Sequence, residues 1–160
     1  MGVVAQATGL LQSILAGETG LAWALSDELS NPFYGLRGPE IRAENVSIEV
    51  SEKSPVRYPA VLVYPDRLAN TQREKFSVLS GTLSLVVEVR TSGNGIAAVS
   101  EQTTSCVEAV MKVLDCHKGE WTAGIQYCGG YEVNFQQIKR GGTQLLQISR
   151  ITVPLTICQR

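Results

Sequence analysis

Hydrophobic and polar positions alternate most cleanly between Gly81 and Arg90. In the run Thr82-Leu83-Ser84-Leu85-Val86-Val87-Glu88-Val89-Arg90, Leu83, Leu85, Val87 and Val89 share one face of a predicted strand. Thr82, Ser84, Glu88 and Arg90 take the other face, interrupted only by Val86. Thr91 to Gly95 breaks the strand. From Ala97 to Cys116 the spacing turns helical, with Val99, Thr103, Cys106, Val110, Val113 and Leu114 along one side and Asn94 as the candidate N-cap. One sheet face therefore has a helix to bury against, and the opposite face reads as polar and free. A small domain with such a face commonly works by assembling with copies of itself.

The same reading extends along the chain. Val3, Ala7, Leu10, Leu11 and Ile14 recur at helical spacing over Val3 to Leu15, and Gly17 stops that helix. Residues 18–44 read as turns, with a short helix near Gly20 to Leu29. Val46, Ile48 and Val50 predict a first strand, and Tyr58 to Tyr64 a second, apolar on both faces and ended by Pro65-Asp66. Arg67 to Leu79 reads as a long loop, and loops of that length in compact domains are often functional. Tyr131, Val133 and Phe135 alternate with polar residues, Lys139 to Gly142 reads as a turn, and Gln144 to Ile157 as a long closing strand that pairs back as a hairpin. Pro154 inside that strand demands an edge, a bulge or a break. The fold class implied is α+β: a mostly antiparallel β-sheet with helices packed on one face, plus a C-terminal β-hairpin.

Length and composition narrow this only a little. At 160 residues, with 44% hydrophobic and 18% charged, the chain fits one globular domain spanning 1–160. A net charge of -1 argues against a dedicated nucleic-acid binder. No Lys or Arg precedes Arg37, so a secretory signal is not expected, and the apolar stretch Val3 to Ala16 is too short to span a bilayer. Four cysteines without a C-x-x-C pair are expected as reduced thiols.

Candidate chemistry is sparse. His117 is the only histidine, which removes the usual base of a hydrolase triad and the ligands of a histidine-rich metal site. Cys116, His117 and Cys128 match no common zinc spacing, and Cys116 and His117, as sequence neighbours, do not face one another on a helix. Ser92-Gly93-Asn94-Gly95 precedes a helix but lacks the Gly-Lys-Ser/Thr of a phosphate loop. No enzymatic activity, cofactor or metal is expected. Two groups are candidates for contact with other proteins. The first is the loop bearing Arg67, Arg73, Lys75 and Phe76, with Leu68 as a further apolar anchor. The second is the polar sheet face carrying Glu88 and Arg90, with Gln136, Gln147, Ser149 and Arg150 expected beside them, as a channel lining or subunit contact.

Taken in order, these elements resemble the tail terminator (tail completion) proteins of long-tailed bacteriophages. The N-terminal helix, the strand Tyr58 to Tyr64, the loop to Lys75, the strand Gly81 to Arg90 with its following helix, and the hairpin ending Ile151-Thr152-Val153-Pro154-Leu155 carry the likeness. It implies a structural virion protein at the tail–neck junction, assembled in the host cytoplasm. Such a protein caps the tail tube as a homo-oligomeric ring, typically hexameric, ends tube polymerisation and forms the head–tail joining interface. Its partners would be the tail tube protein and a head-side neck or stopper protein, with DNA passing through the channel unread and no membrane involved. A head-completion or stopper protein is the nearest alternative, though stoppers are often small β-barrels. A small-molecule-binding α+β domain is the alternative from another class.

Overall fold

A computed structural model of the chain describes residues 2–26, 40–43, 58–71 and 78–160. The predicted strand at Val46 to Val50, and Arg73, Lys75 and Phe76 of the candidate loop, lie outside those residues. The elements in chain order are α1 (Val3–Ala16), α2 (Leu21–Ser26), β1 (Glu40–Ala43), β2 (Ala60–Ala69), β3 (Leu79–Gly93), α3 (Ile96–Cys116), β4 (Gly119–Thr122), β5 (Ile125–Tyr127), β6 (Glu132–Phe135), β7 (Lys139–Gly141) and β8 (Gln144–Gln159).

The eight described strands form one sheet in the order β1-β2-β3-β8-β5-β4, and β6 and β7 continue along the same edge of β8 as β5. Only the β1–β2 pair is parallel among them. β3 and β8 are the spine, paired without a break from Leu79 opposite Gln159 to Gly93 opposite Leu145. The alternation in β3 does what its sequence dictates. Leu83, Leu85, Val87 and Val89 are fully buried beneath the helices, joined there by Ile151, Val153, Leu155 and Ile157 of β8. Each such side chain contributes about 1.5–3 kcal/mol of burial free energy. α1 supplies Val3, Ala7, Leu11 and Leu15 to this core, and α3 supplies Cys106, Val110, Val113 and Leu114. The α+β architecture, with helices on one face of a mostly antiparallel sheet, is therefore as the hydrophobic pattern requires.

Several boundaries differ from the pattern, each for a local reason. β2 does not end at Pro65-Asp66 but runs to Ala69, because the pairing with β3 shifts by one residue between Pro65 and Arg67. That bulge absorbs the proline and re-aims the following side chains. Arg67 therefore lies on a strand and not in a loop. The helix α3 begins one residue earlier than predicted, with Gly95 as N-cap and no side-chain cap from Asn94. A short hairpin, β4–β5, fills the stretch between α3 and Tyr131 that carries no clear periodicity. Its turn rests on Gly124, whose φ of 82° and contact with the Cys158 carbonyl leave no room for a side chain. Lys139 to Gly141 is strand and not turn; the turn is Gly142-Thr143. Pro154 sits opposite Ser84 on one side, while the other edge of β8 passes from β6, paired at residues 149–152, to β5, paired at 155–157. The missing N–H thus falls where the neighbouring strand is interrupted.

Candidate functional site

Cross-strand partners share a sheet face, so the register identifies what stands opposite the helices. Several rows run across that open face, among them Ala60–Arg90–Ile148, and three more frame the cluster. These three are Arg67–Ser84–Pro154, then Tyr64–Val86–Thr152–Glu132, then Leu62–Glu88–Arg150–Asn134. The bulge at Asp66 is what brings Arg67 to this side; without it, the strand alternation would point Arg67 into the helix layer. Gln136 follows Phe135 and lies on the same side as Arg150. Gln147 and Ser149, by contrast, pair with Thr91 and Val89 and face the helices. They were expected beside Arg150, but adjacent residues of one strand cannot share a face.

At the centre of this face stands a charge cluster. Glu88 is 0% exposed and Arg90 8%, so the face is closed at both residues rather than free. Both carboxylate oxygens of Glu88 are occupied. Oε1 accepts from the Tyr64 hydroxyl at 2.9 Å and from Arg150 Nε at 2.9 Å, and Oε2 accepts from Arg90 at 2.6 Å. Leu62, Tyr64 and Val86 form a small apolar cluster alongside. Burial lowers the affinity of the Arg150 guanidinium for its proton, but its contacts with Glu88 and Tyr64 outweigh that and hold it above its usual value. A buried ion group of this kind fixes geometry more than it adds stability, because desolvation consumes most of the Coulombic gain.

Over the cluster lies a shallow groove of about 390 Å³, lined among others by Tyr64, Asp66, Glu132, Asn134, Arg150 and Thr152. Arg150 reaches it with 35% of its side chain exposed. Of the residues singled out by sequence, Glu88, Arg90 and Arg150 come together here, and Arg67 stands exposed two rows from Glu88. Asp66, Glu132, Asn134 and Thr152 were not foreseen. A signal existed in the apolar-on-both-faces strand Tyr58 to Tyr64, which implies cover on the second face as well.

Chemically, the arrangement can recognise charge through the exposed carboxylates of Asp66 and Glu132 and through Arg150. Glu88 is saturated by three donors. His117 sits at the C-terminus of α3, its Nδ1 2.7 Å from the Val113 carbonyl oxygen and its Nε2 3.4 Å from the Thr19 hydroxyl. Cys106 is buried, Cys158 half-buried, and Cys116 and Cys128 exposed. Among the described residues no group of three or more His, Cys, Asp or Glu could hold a metal ion, and no helix is long and apolar enough to cross a membrane.

No protein-family profile and no curated protein matches this sequence. Nine chains of solved structures match it in fold. One, from the virion of a native gene transfer agent particle, superposes with a TM-score of 0.57 at 15% identity, and the match covers 99% of each chain. At that identity the likeness is one of fold, and it extends from end to end of both chains.

Proposed function

We propose that this chain is a structural virion protein that caps a tail tube as a ring, ends tube polymerisation and forms the head–tail joining interface. The observation that carries this reading is the fold likeness to a chain of a gene transfer agent virion over 99% of both lengths. A match confined to part of either chain would say much less; here it covers 99% of each. The site supports a role in assembly too, because its one buried carboxylate is spent on internal arginines and its groove is shallow and charged. We therefore assign no enzymatic activity and no cofactor.

On this reading the chain is a single terminator-like domain over 1–160, placed at the tail–neck junction of the virion after assembly in the host cytoplasm. It meets copies of itself in a ring, hexameric by the family resemblance, with the tail tube protein on one side and a head-side neck or stopper protein on the other. DNA crosses the channel without sequence-specific contact, consistent with a formal net charge of -1. The segment 67–77, with Arg67 at its start on β2 and Arg73, Lys75 and Phe76 beyond, is the proposed contact with tube or neck. An open sheet with helices on one face favours this over a β-barrel stopper.

The test is direct. The purified chain is mixed with tail tubes from the same source and imaged by negative-stain microscopy. Rings seated at one end of each tube, with growth halted, are expected; tubes of unchanged length with no terminal density would overturn the reading. Alanine at Arg67, Arg73 and Phe76 together is expected to reduce capping, and undiminished capping would remove the segment from the interface.

A further inference from the structure

We propose that the groove on the open sheet face receives the Lys139–Arg140 hairpin tip of a second copy of this chain. Asp66 and Glu132 are exposed and line the groove, and neither has an ion-pair partner among the described residues. Arg150 also reaches the groove, but its Nε is held by Glu88. Taking Glu88, Arg90 and Arg150 together as one positive charge, the two carboxylates leave the groove negative by one. Arg67 adjoins it one row away without lining it.

The complementary feature is the β7–β8 tip. Lys139 and Arg140 are adjacent and exposed, and likewise without ion-pair partners among the described residues. They flank the tight turn at Gly142, whose φ is 74°. No other adjacent pair of basic residues occurs in the described segments. The tip cannot fill the groove of its own molecule. Lys139 pairs with Leu146, whereas Glu132 pairs with Thr152, six residues further along β8 and so about 20 Å away. A tip on one surface and a groove on another make a heterologous contact, which closes into a ring when the rotation between copies permits. The inference rests on the ring in the proposed function and adds the surfaces that close it.

Charge reversal separates this contact from any other. All four residues are exposed, so Asp66→Lys with Glu132→Lys, and Lys139→Glu with Arg140→Glu, are expected to melt within a few degrees of the wild-type chain. Each pair of substitutions is expected to weaken self-association of the full chain at least about tenfold in sedimentation velocity at low salt. An equimolar mixture of the two variants is expected to regain assembly, because each reversed tip then meets a reversed groove in alternation around the ring. Association untouched by either pair, a mixture no better than its components, or a wild-type chain that stays monomeric at every concentration would overturn the proposal. Tube capping reads out the terminator reading separately: variants that cap normally sink this contact alone, while a wild-type chain that never caps sinks the terminator reading alone.

Discussion

Glu88 is held by three donors and sealed from solvent, and the consequence of removing it follows from that enclosure. Glu88→Ala breaks the buried ion pair with Arg90, itself 8% exposed, and takes the acceptor from the buried Tyr64 hydroxyl, and is expected to cost about 3–5 kcal/mol in urea unfolding. Arg150→Ala is expected to cost clearly less, because Arg150 is one-third exposed and Glu88 keeps Arg90. A loss below about 1 kcal/mol for Glu88→Ala would mean that the cluster is open to water in solution. Cys106 gives a second prediction at this scale. Burial pushes its thiol from 9.0 up to about 12. Above about pH 9 the unfolded chain releases a proton that the folded chain keeps, so stability falls as pH rises, by at most about 1.4 kcal/mol per unit from this group. Below pH 9 the group contributes no slope. Tyr127 acts in the same sense above pH 10, since burial first, then Asp115 and Tyr131, push it up to about 12. Cys106→Ala is therefore expected to flatten the decline in unfolding free energy between pH 9 and 11 without abolishing it, and an unchanged slope would assign the decline to other groups.

Among the elements, β3 tolerates the least change, because it is paired on both sides along most of its length. Gly81 lies where β3 crosses the end of β2, and a Cβ there would overlap the Ala69 carbonyl. Gly81→Ala is expected to destabilise by more than about 2 kcal/mol through displacement of the β2 end, whereas Gly95→Ala, with open space around its Cβ position, is expected to change stability by less than about 0.5 kcal/mol. Thermal melts of the two variants compare them directly, and similar melting temperatures would refute the close approach at Gly81. These elements also show what the sequence could and could not convey. β3, β8, α1 and α3 were legible because each repeats its period over three turns or more, or alternates over eight positions or more. β1 was not, since Glu40-Ile41-Arg42-Ala43 becomes a strand only by pairing with β2, a long-range event without a local signal. The β4–β5 hairpin was missed because strands of four and three residues are too short to show a period. At the site, alternation put Glu88 and Arg90 side by side, but their burial depends on Tyr64 and Arg150, which arrive from β2 and β8 through registers that no local pattern encodes.

For the molecule as a whole, the surfaces that the described residues leave after folding are unlike one another. The helix layer carries Glu101, Glu108 and Asp115 on the outer side of α3, and the opposite face carries the groove. The sheet edges differ as well, with the parallel strand β1 at one end and the hairpin β4–β5 and the β6–β7 run at the other. A self-complementary contact about a two-fold axis would need one surface to match itself. The groove is a poor candidate for that, because it is negative by one, and two copies of it in apposition would set like net charge against like. Contact between unlike surfaces carries no such penalty, and each added copy presents the same free surface again until the last one meets the first. Closure then forms one more contact at no further cost in translational freedom, so partly built rings are less stable than complete ones. The expected mass distribution at increasing protein concentration is therefore monomer and ring, with dimer a minor species throughout and the ring fraction falling as salt is raised. Mass photometry across a concentration series measures this directly. A dominant dimer that persists at high salt would point to an isologous, apolar contact and would remove both the ring and the charged groove as its closing surface.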